Sequence, residues 1–213
     1  MAVLLSELKI PAPVVIDLLA GLNRPKKLIK PTSITIHDTG NVKPGADALN
    51  HAAYLKSAVP NTIGQRVSWH ITVDDKRIVQ HIPLNEEAFH AGDGENGPGN
   101  LTSIGIEICE HQGCQRTAAE LNAVALVAAL LNALGWPINT VVPHKHWTGK
   151  GCPHLLLPRW TEFLAQIAAK LVWDPAAEIQ RLWKDGIINT HKSPEAVVNW
   201  GELATVLNRI RHS

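Results

Sequence analysis

The sequence predicts a mixed α/β fold: a central mixed sheet flanked by helices, followed by a small C-terminal helical pair. Three observations lead there. β-rich runs and helical segments interleave along most of the chain. Residues 68–82 place two β-rich runs around Asp74-Asp75-Lys76, a hairpin signal, so the sheet is mixed or antiparallel and not all-parallel. The composition then shifts near Val172-Trp173-Asp174-Pro175, which divides the chain into residues 1–171 and 172–213.

The N-terminal stretch MAVLLSELKIPAPVVIDLLAGLNRP is apolar but interrupted by Glu7, Lys9, Pro11, Pro13 and Asp17, and no basic segment precedes it. It reads as folded structure and not as a signal peptide, which implies synthesis in the cytoplasm. Ser33-Ile-Thr-Ile-His37 reads as a short strand ending in a histidine. Residues 45–58, alanine-rich with helical spacing at Leu49, Ala52, Ala53 and Leu55, predict a helix broken by Pro60, Asn61 and Gly64. The glycine loop Ala91 to Asn100 is followed by a strand, which is the wrong context for a phosphate loop. That strand, Ser103 to Cys109, puts Glu107 on the face opposite Ile106 and Ile108.

Thr117-Ala-Ala-Glu120 has the pattern of a capping box for an apolar helix that runs to Leu134 and stops at Gly135 and Pro137. Apolar around most of its girth, this helix should be buried on more than one side. A further helix covers 158–171. Asp174 and Pro175 open another, ending at 184–186, and a last one runs from about Asn199 to Arg211. Such a pair is too small for a large core of its own. Its apolar residues Ile179, Leu182, Leu203 and Leu207 call for burial against something.

The formal net charge of +1 leaves no electrostatic footprint for nucleic acid, and no run of like charges suits a membrane anchor. No apolar stretch approaches the roughly 20 residues that span a bilayer, so membrane insertion is not expected. Cys109, Cys114 and Cys152 cannot all pair; this argues against a disulfide framework and fits a reducing compartment.

The segment VPHKHWTGKGCPH concentrates His144, His146, His154, Lys145, Lys150 and Cys152. Zinc takes neutral imidazole nitrogen and thiolate sulfur, and a catalytic zinc keeps three protein ligands with one position open. On spacing alone, Cys152 could pair with any of the three histidines. His37, at a strand end, offers a rigid distant ligand. His51, His81 and His191 read as surface or hydrogen-bonded core histidines. Cys109 reads as a strand-end core residue and Cys114 as a turn residue, in preference to a second metal or disulfide site.

ITIHDT (34–39), SWHITVDD (68–75), FHAGDG (89–94), GNLTSIGIEIC (99–109) and PHKHWTGKGCPH resemble, in order over residues 22–170, the type 2 N-acetylmuramoyl-L-alanine amidases. These are zinc enzymes of the peptidoglycan-recognition-protein fold, found as phage endolysins and bacterial autolysins. The resemblance implies one zinc ion per chain, held by His37, His144 and Cys152, with Lys150 as a catalytic lysine. A solvated loop lysine is the structural alternative. Some members place a tyrosine before the histidine that aligns with His70. Trp69 stands there in this chain and cannot exchange protons; the members that resemble it most closely use the glutamate of the SIGIE block instead, so the resemblance implies that Glu107 is the proton carrier. A buried, salt-bridged glutamate is the other reading of that residue.

The activity implied by the resemblance is metal-assisted hydrolysis of the amide between the lactyl group of N-acetylmuramic acid and L-alanine. Trp69, His90 and Asn100 then line the substrate groove, although Asn100 could instead hold the glycine loop. Asp38 either orients a ligand imidazole or caps a loop, and His154 is a neighbour that could hydrogen-bond near the site. The implied partner is bacterial peptidoglycan, reached after release from the host cytoplasm. A recognition module of the same fold, binding muropeptides without cutting them, is the rival function; such proteins typically lack the cysteine ligand. A structural zinc site would need His146 or Cys114 as a fourth ligand. Residues 177–183, Gly186-Ile-Ile188 and 198–207 resemble a single S-layer-homology motif, which suits wall-polymer binding, packing on the larger domain, or self-association.

Overall fold

In a computed structural model, residues 3–58, 66–171, 175–189, 193 and 196–211 are described. They divide into two compact units, Met1–Leu171 and Val172–Ser213. The strands of the first unit are β1 (Val14–Ile16), β2 (Ser33–Asp38), β3 (Ile71–Val73), β4 (Ile78–Gln80), β5 (Ser103–Ile108) and β6 (Val141–Pro143). Its helices are α1 (Ala48–Ser57), α2 (Pro98–Thr102), α3 (Arg116–Leu134), α4 (Lys145–Thr148) and α5 (Trp160–Ala168).

Alternation along β2 and β5 gives the sheet two different faces. Ile34, Ile36, Ile104, Ile106 and Ile108 point one way and are fully buried with Ile71 and Val73 in the main core. Ala119, Ala123, Val124, Leu126 and Val127 of α3, and Phe163 and Ile167 of α5, close that core. Thr35, His37, Ser103, Gly105 and Glu107 alternate with these isoleucines and so occupy the other face. There α1 packs over β3 and β4, with Ala48 and Ala52 against Val79.

Among the described residues the sheet has six strands in the order β1-β4-β3-β5-β2-β6. Only the β3–β4 hairpin is antiparallel, which makes the sheet mixed. The parallel β2–β5 register sets His37 beside Glu107 and Asp38 beside Ile108.

Several elements depart from the sequence expectations. β1 and β6, each three residues long, carry too little periodicity to be read in advance. The glycine loop leads first into the short α2 and only then into β5. The capping box at Thr117 does not form: α3 begins one residue earlier, its N-cap Gln115 makes no side-chain cap bond, and Glu120 turns inward. Arg116 and Arg159 donate to Glu120 at 2.7 and 2.6 Å, and these charged donors displace the weaker bond to a backbone N–H. Gly135 does cap α3, at φ +65°, where a Cβ would be strained. At 19 residues α3 is long and apolar enough to cross a bilayer, contrary to the expectation from the sequence, yet nine of its residues are buried in this core. α1 ends at Ser57, and its expected breakers Pro60, Asn61 and Gly64 lie outside the described residues.

The second unit holds α6 (Pro175–Lys184) and α7 (Trp200–Arg211). A reciprocal cap starts α7: Glu202 N–H donates to Asn199 Oδ1 at 2.9 Å, and Asn199 N–H to Glu202 Oε2 at 3.3 Å. Arg209 donates to the Ile187 carbonyl at 2.9 Å and ties α7 to the turn after α6. Leu203 and Leu207, expected to be buried, are 37% and 52% exposed, and Trp200 is 86% exposed. The expected cap Asp174, and His191, fall outside the described residues.

The core makes a direct prediction. Ile106→Ala removes a fully buried side chain at the centre of the sheet and should cost about 2–5 kcal/mol. Urea unfolding of the larger unit should show this as a lower midpoint.

Candidate metal centre and active site

His37 leaves β2 on the polar face. His144 follows β6 directly, and its N–H donates to the Ile36 carbonyl at 3.1 Å. Cys152 lies in the next loop, where its carbonyl accepts from Lys145 N–H at 2.9 Å. Three backbone segments thus deliver three buried donors to one point. His37 Nδ1 lies 3.0 Å from His144 Nδ1 and 3.9 Å from Cys152 Sγ. His146, exposed and packed on the Trp147 ring, does not belong to this group.

Hydrogen bonding around the group determines its tautomers. Trp147 Nε1, a donor only, bonds Thr35 Oγ1 at 2.9 Å; Thr35 bonds Ser103 Oγ at 2.7 Å; Ser103 donates to the Gly99 carbonyl at 2.6 Å. The Ser103 hydroxyl proton is therefore spoken for. His90 Nε2, 3.4 Å from both Ser103 oxygens, faces acceptors and carries its proton there. His90 Nδ1 is then bare and accepts from His37 Nε2–H at 3.0 Å. His144 Nε2–H donates to the Ala91 carbonyl at 2.8 Å. Both remaining Nδ1 atoms carry lone pairs aimed at each other.

Two bare nitrogens 3.0 Å apart repel unless a cation lies between them. Tetrahedral zinc, with bonds of ~2.0–2.1 Å to nitrogen and ~2.3 Å to sulfur, sets such donors roughly 3.3–3.6 Å apart. The measured separations straddle that range, and the donor set is one zinc favours, so the residues fit the ion. Burial lowers the pKa of His37 and His144, keeping both imidazoles neutral. Burial pushes the Cys152 thiol up to about 12, so metal uptake must release its proton.

Glu107 Oε1 stands 3.8 Å from His37 Nδ1, while its buried Oε2 has no hydrogen-bond partner among the described residues. Burial, reinforced by Asp38 and opposed by Lys150, pushes its carboxyl up to about 8. Among the described residues no lysine or arginine lies within ion-pair distance of it, and its ion-pair contact is with His37. Lys150 and His144 line one cavity of ≈ 550 Å³ together with His90, Asn100, Arg66 and Phe89. Glu107 lines a second, of ≈ 400 Å³, with Trp69, Thr39, His51 and Tyr54. Val67 borders both.

Some predicted residues have a further task. Asn100 Oδ1 accepts from the N–H groups of His90 and Ala91 at 2.8 and 2.9 Å, so it holds the glycine loop as well as facing the cavity. His90, expected only in the groove, also fixes the His37 tautomer; strand alternation at Ser103 and Gly105 was the available signal. Trp69 is buried and donates to Thr72 Oγ1 at 2.6 Å. Among the described residues the Asp38 carboxylate makes no hydrogen bond to a ligand imidazole, because alternation turns it away from His37. It accepts from Leu155 N–H at 2.7 Å, the loop-capping alternative, and pairs with Arg116. His154 Nδ1 lies 3.4 Å from Asp38 and its Nε2 3.1 Å from Glu110. Cys109 and Cys114 are free thiols, and neither joins the donor group.

Two measurements test this geometry. A Cβ at Gly105 would lie 2.6 Å from the His90 ring, so Gly105→Ala should displace His90 and weaken zinc binding by ~10–100-fold in a competition titration with a chromophoric chelator. The second concerns metal-free protein. Between pH 4.5 and about 8 folded Glu107 keeps a proton that the unfolded chain has released, so its contribution to stability falls as pH rises through that window. Thermal melts in chelator should therefore find Glu107→Gln more stable than wild type at about pH 8, with the gap closing towards about pH 5.

Residues 27–155 match the profile of a family described as N-acetylmuramoyl-L-alanine amidase. The amidase CwlH of Bacillus subtilis (strain 168) is 48% identical over 147 residues, covering 69% of this chain and 57% of that protein. XlyA of the same organism is 50% identical over 145 residues, covering 68% and 47%. The chain spans about half the length of these curated relatives. Among solved structures, the catalytic domain of XlyA superposes with a TM-score of 0.67 at 45% identity, covering 73% of this chain and 99% of that one. PlyL gives 0.64 at 37% identity, covering 72% and 96%. The chain belongs to the N-acetylmuramoyl-L-alanine amidase family.

Proposed function

We propose that this chain hydrolyses the amide between the lactyl group of N-acetylmuramic acid and L-alanine in bacterial peptidoglycan, using one zinc ion held by His37, His144 and Cys152. The observation that carries the reading is the convergence of those three buried donors beside a carboxylate kept 3.8 Å away. Zinc, when bound, supplies a Lewis acid that activates water and polarises the scissile carbonyl. Glu107 takes the proton of the attacking water and later delivers it to the leaving nitrogen of L-alanine. Its raised pKa suits both halves of that task. Lys150 offers positive charge to the oxyanion that forms on the carbonyl. The substrate lies outside the cytoplasmic membrane, so the enzyme would act after release from the cell that makes it.

We read the C-terminal helical pair as a module for wall polymer or for a second copy. An apolar groove of ≈ 460 Å³, lined by Ile179, Leu182, Ile188, Val198, Leu203 and Val206, supports that reading.

Purified cell walls provide the test. Wild-type protein should clear them and release new L-alanine amino termini. Chelator should stop both, and zinc should restore both. Glu107→Gln should lose activity by a factor of ~10²–10⁴ while still folding. Binding to walls with no new amino termini would instead leave a recognition module.

A further inference from the structure

We propose that Arg116 is a positioning residue for the metal centre, acting through Asp38 on the loop that carries Cys152. The inference rests on the zinc reading above and adds a residue that touches no metal ligand side chain.

Asp38 directly follows the ligand His37, and its carboxylate is fully buried on the opposite face of the sheet. The carboxylate joins two bodies. Arg116 Nη2 bonds Oδ1, and Leu155 N–H bonds Oδ2 at 2.7 Å. The Asp38 carbonyl also lies 3.9 Å from Cys152 Sγ. One residue thus has its backbone carbonyl beside the Cys152 sulfur and, through its side chain, holds the chain three residues beyond.

Arg116 in turn grips more than Asp38. Its Nη1 donates to the carbonyls of Ile108 and Cys109, both at 3.1 Å, and its Nε to Glu120 Oε1 at 2.7 Å. One planar fork therefore joins the end of β2, the end of β5 and the first turn of α3. The strand ends are those that present His37 and Glu107. Removing the guanidinium would leave the buried Asp38 carboxylate without its strong partner. The carboxylate would then turn towards His154, and the Leu155 tether would slacken. Lysine cannot replace the fork, because a single ammonium cannot reach four acceptors held by three elements.

A matched ion pair elsewhere separates positioning from plain stability. Arg24 and Glu86 form a two-pronged pair at 2.7 and 2.8 Å with comparably buried side chains. The experiment is a zinc competition titration on wild type, Arg116→Gln, Arg116→Lys and Arg24→Gln, at a temperature where circular dichroism shows each to be folded. Arg116→Gln should bind zinc ~10–100-fold more weakly than wild type, and Arg116→Lys should fold but fail to restore full affinity. Arg24→Gln should lose melting temperature yet bind zinc within about twofold of wild type. Equal zinc affinity in wild type and both Arg116 variants would overturn the proposal, as would equal weakening by Arg24→Gln. If Arg116→Gln does not fold, Arg116→Lys against Arg24→Gln decides by the same criteria. Wild-type protein that takes up no zinc would instead refute the zinc reading itself.

Discussion

Two imidazole nitrogens with lone pairs facing each other across 3.0 Å are the constraint on which the rest of this site depends. No arrangement of neutral histidines would choose that contact for its own sake. It persists because each ring is committed elsewhere, His144 to the Ala91 carbonyl and His37 to His90. The polarity of the second commitment is inherited from a chain of hydroxyls that starts at an indole N–H and ends at a backbone carbonyl. The orientation of both imidazoles is thus set by an uncharged hydrogen-bond network. Of the three donors, only the thiol would have to change protonation state to bind a cation.

Parallel pairing converts this local chemistry into a fold requirement. In-register β2 and β5 put His37 and Glu107 side by side, and alternation sends their neighbours Ile36 and Ile106 into the core. A slip of one residue in either strand would exchange the two faces, burying charge under α3 and exposing isoleucine to the cleft. The apolar packing of α3 and α5 thus selects the same register that the chemistry needs. This is why a site made of charged and titratable groups can sit in a sheet whose strands are buried on both sides.

How far the sequence disclosed this depends on the length scale of each signal. Long elements were legible: the alanine-rich α1, the apolar α3 and the isoleucine-patterned β2 and β5 carry their periods over six residues or more. The spacing within VPHKHWTGKGCPH left three histidines open, and resemblance to a family was needed to single out His144. Missed features were those set by tertiary contact. β1 and β6 exist because a neighbouring strand offers them hydrogen bonds. Glu120 abandons a capping pattern because two arginines from different parts of the chain arrive at it. The second duty of His90 depends on Gly105, which leaves room for an imidazole only once the strand is folded beneath it.

Donor count separates the chemical uses open to such a centre. A structural zinc is closed by four protein ligands, and a catalytic one keeps a position free. Here the group holds three donors, and the two candidates for a fourth stand apart: His146 lies on Trp147, and Cys114 sits near the Cys109 carbonyl. The carboxylate nearest to the donors, that of Glu107, has a buried Oε2 with no hydrogen-bond partner among the described residues. Its Oε1 stands 3.8 Å from His37 Nδ1, and it lines a cavity that shares Val67 with the one lined by His144 and Lys150.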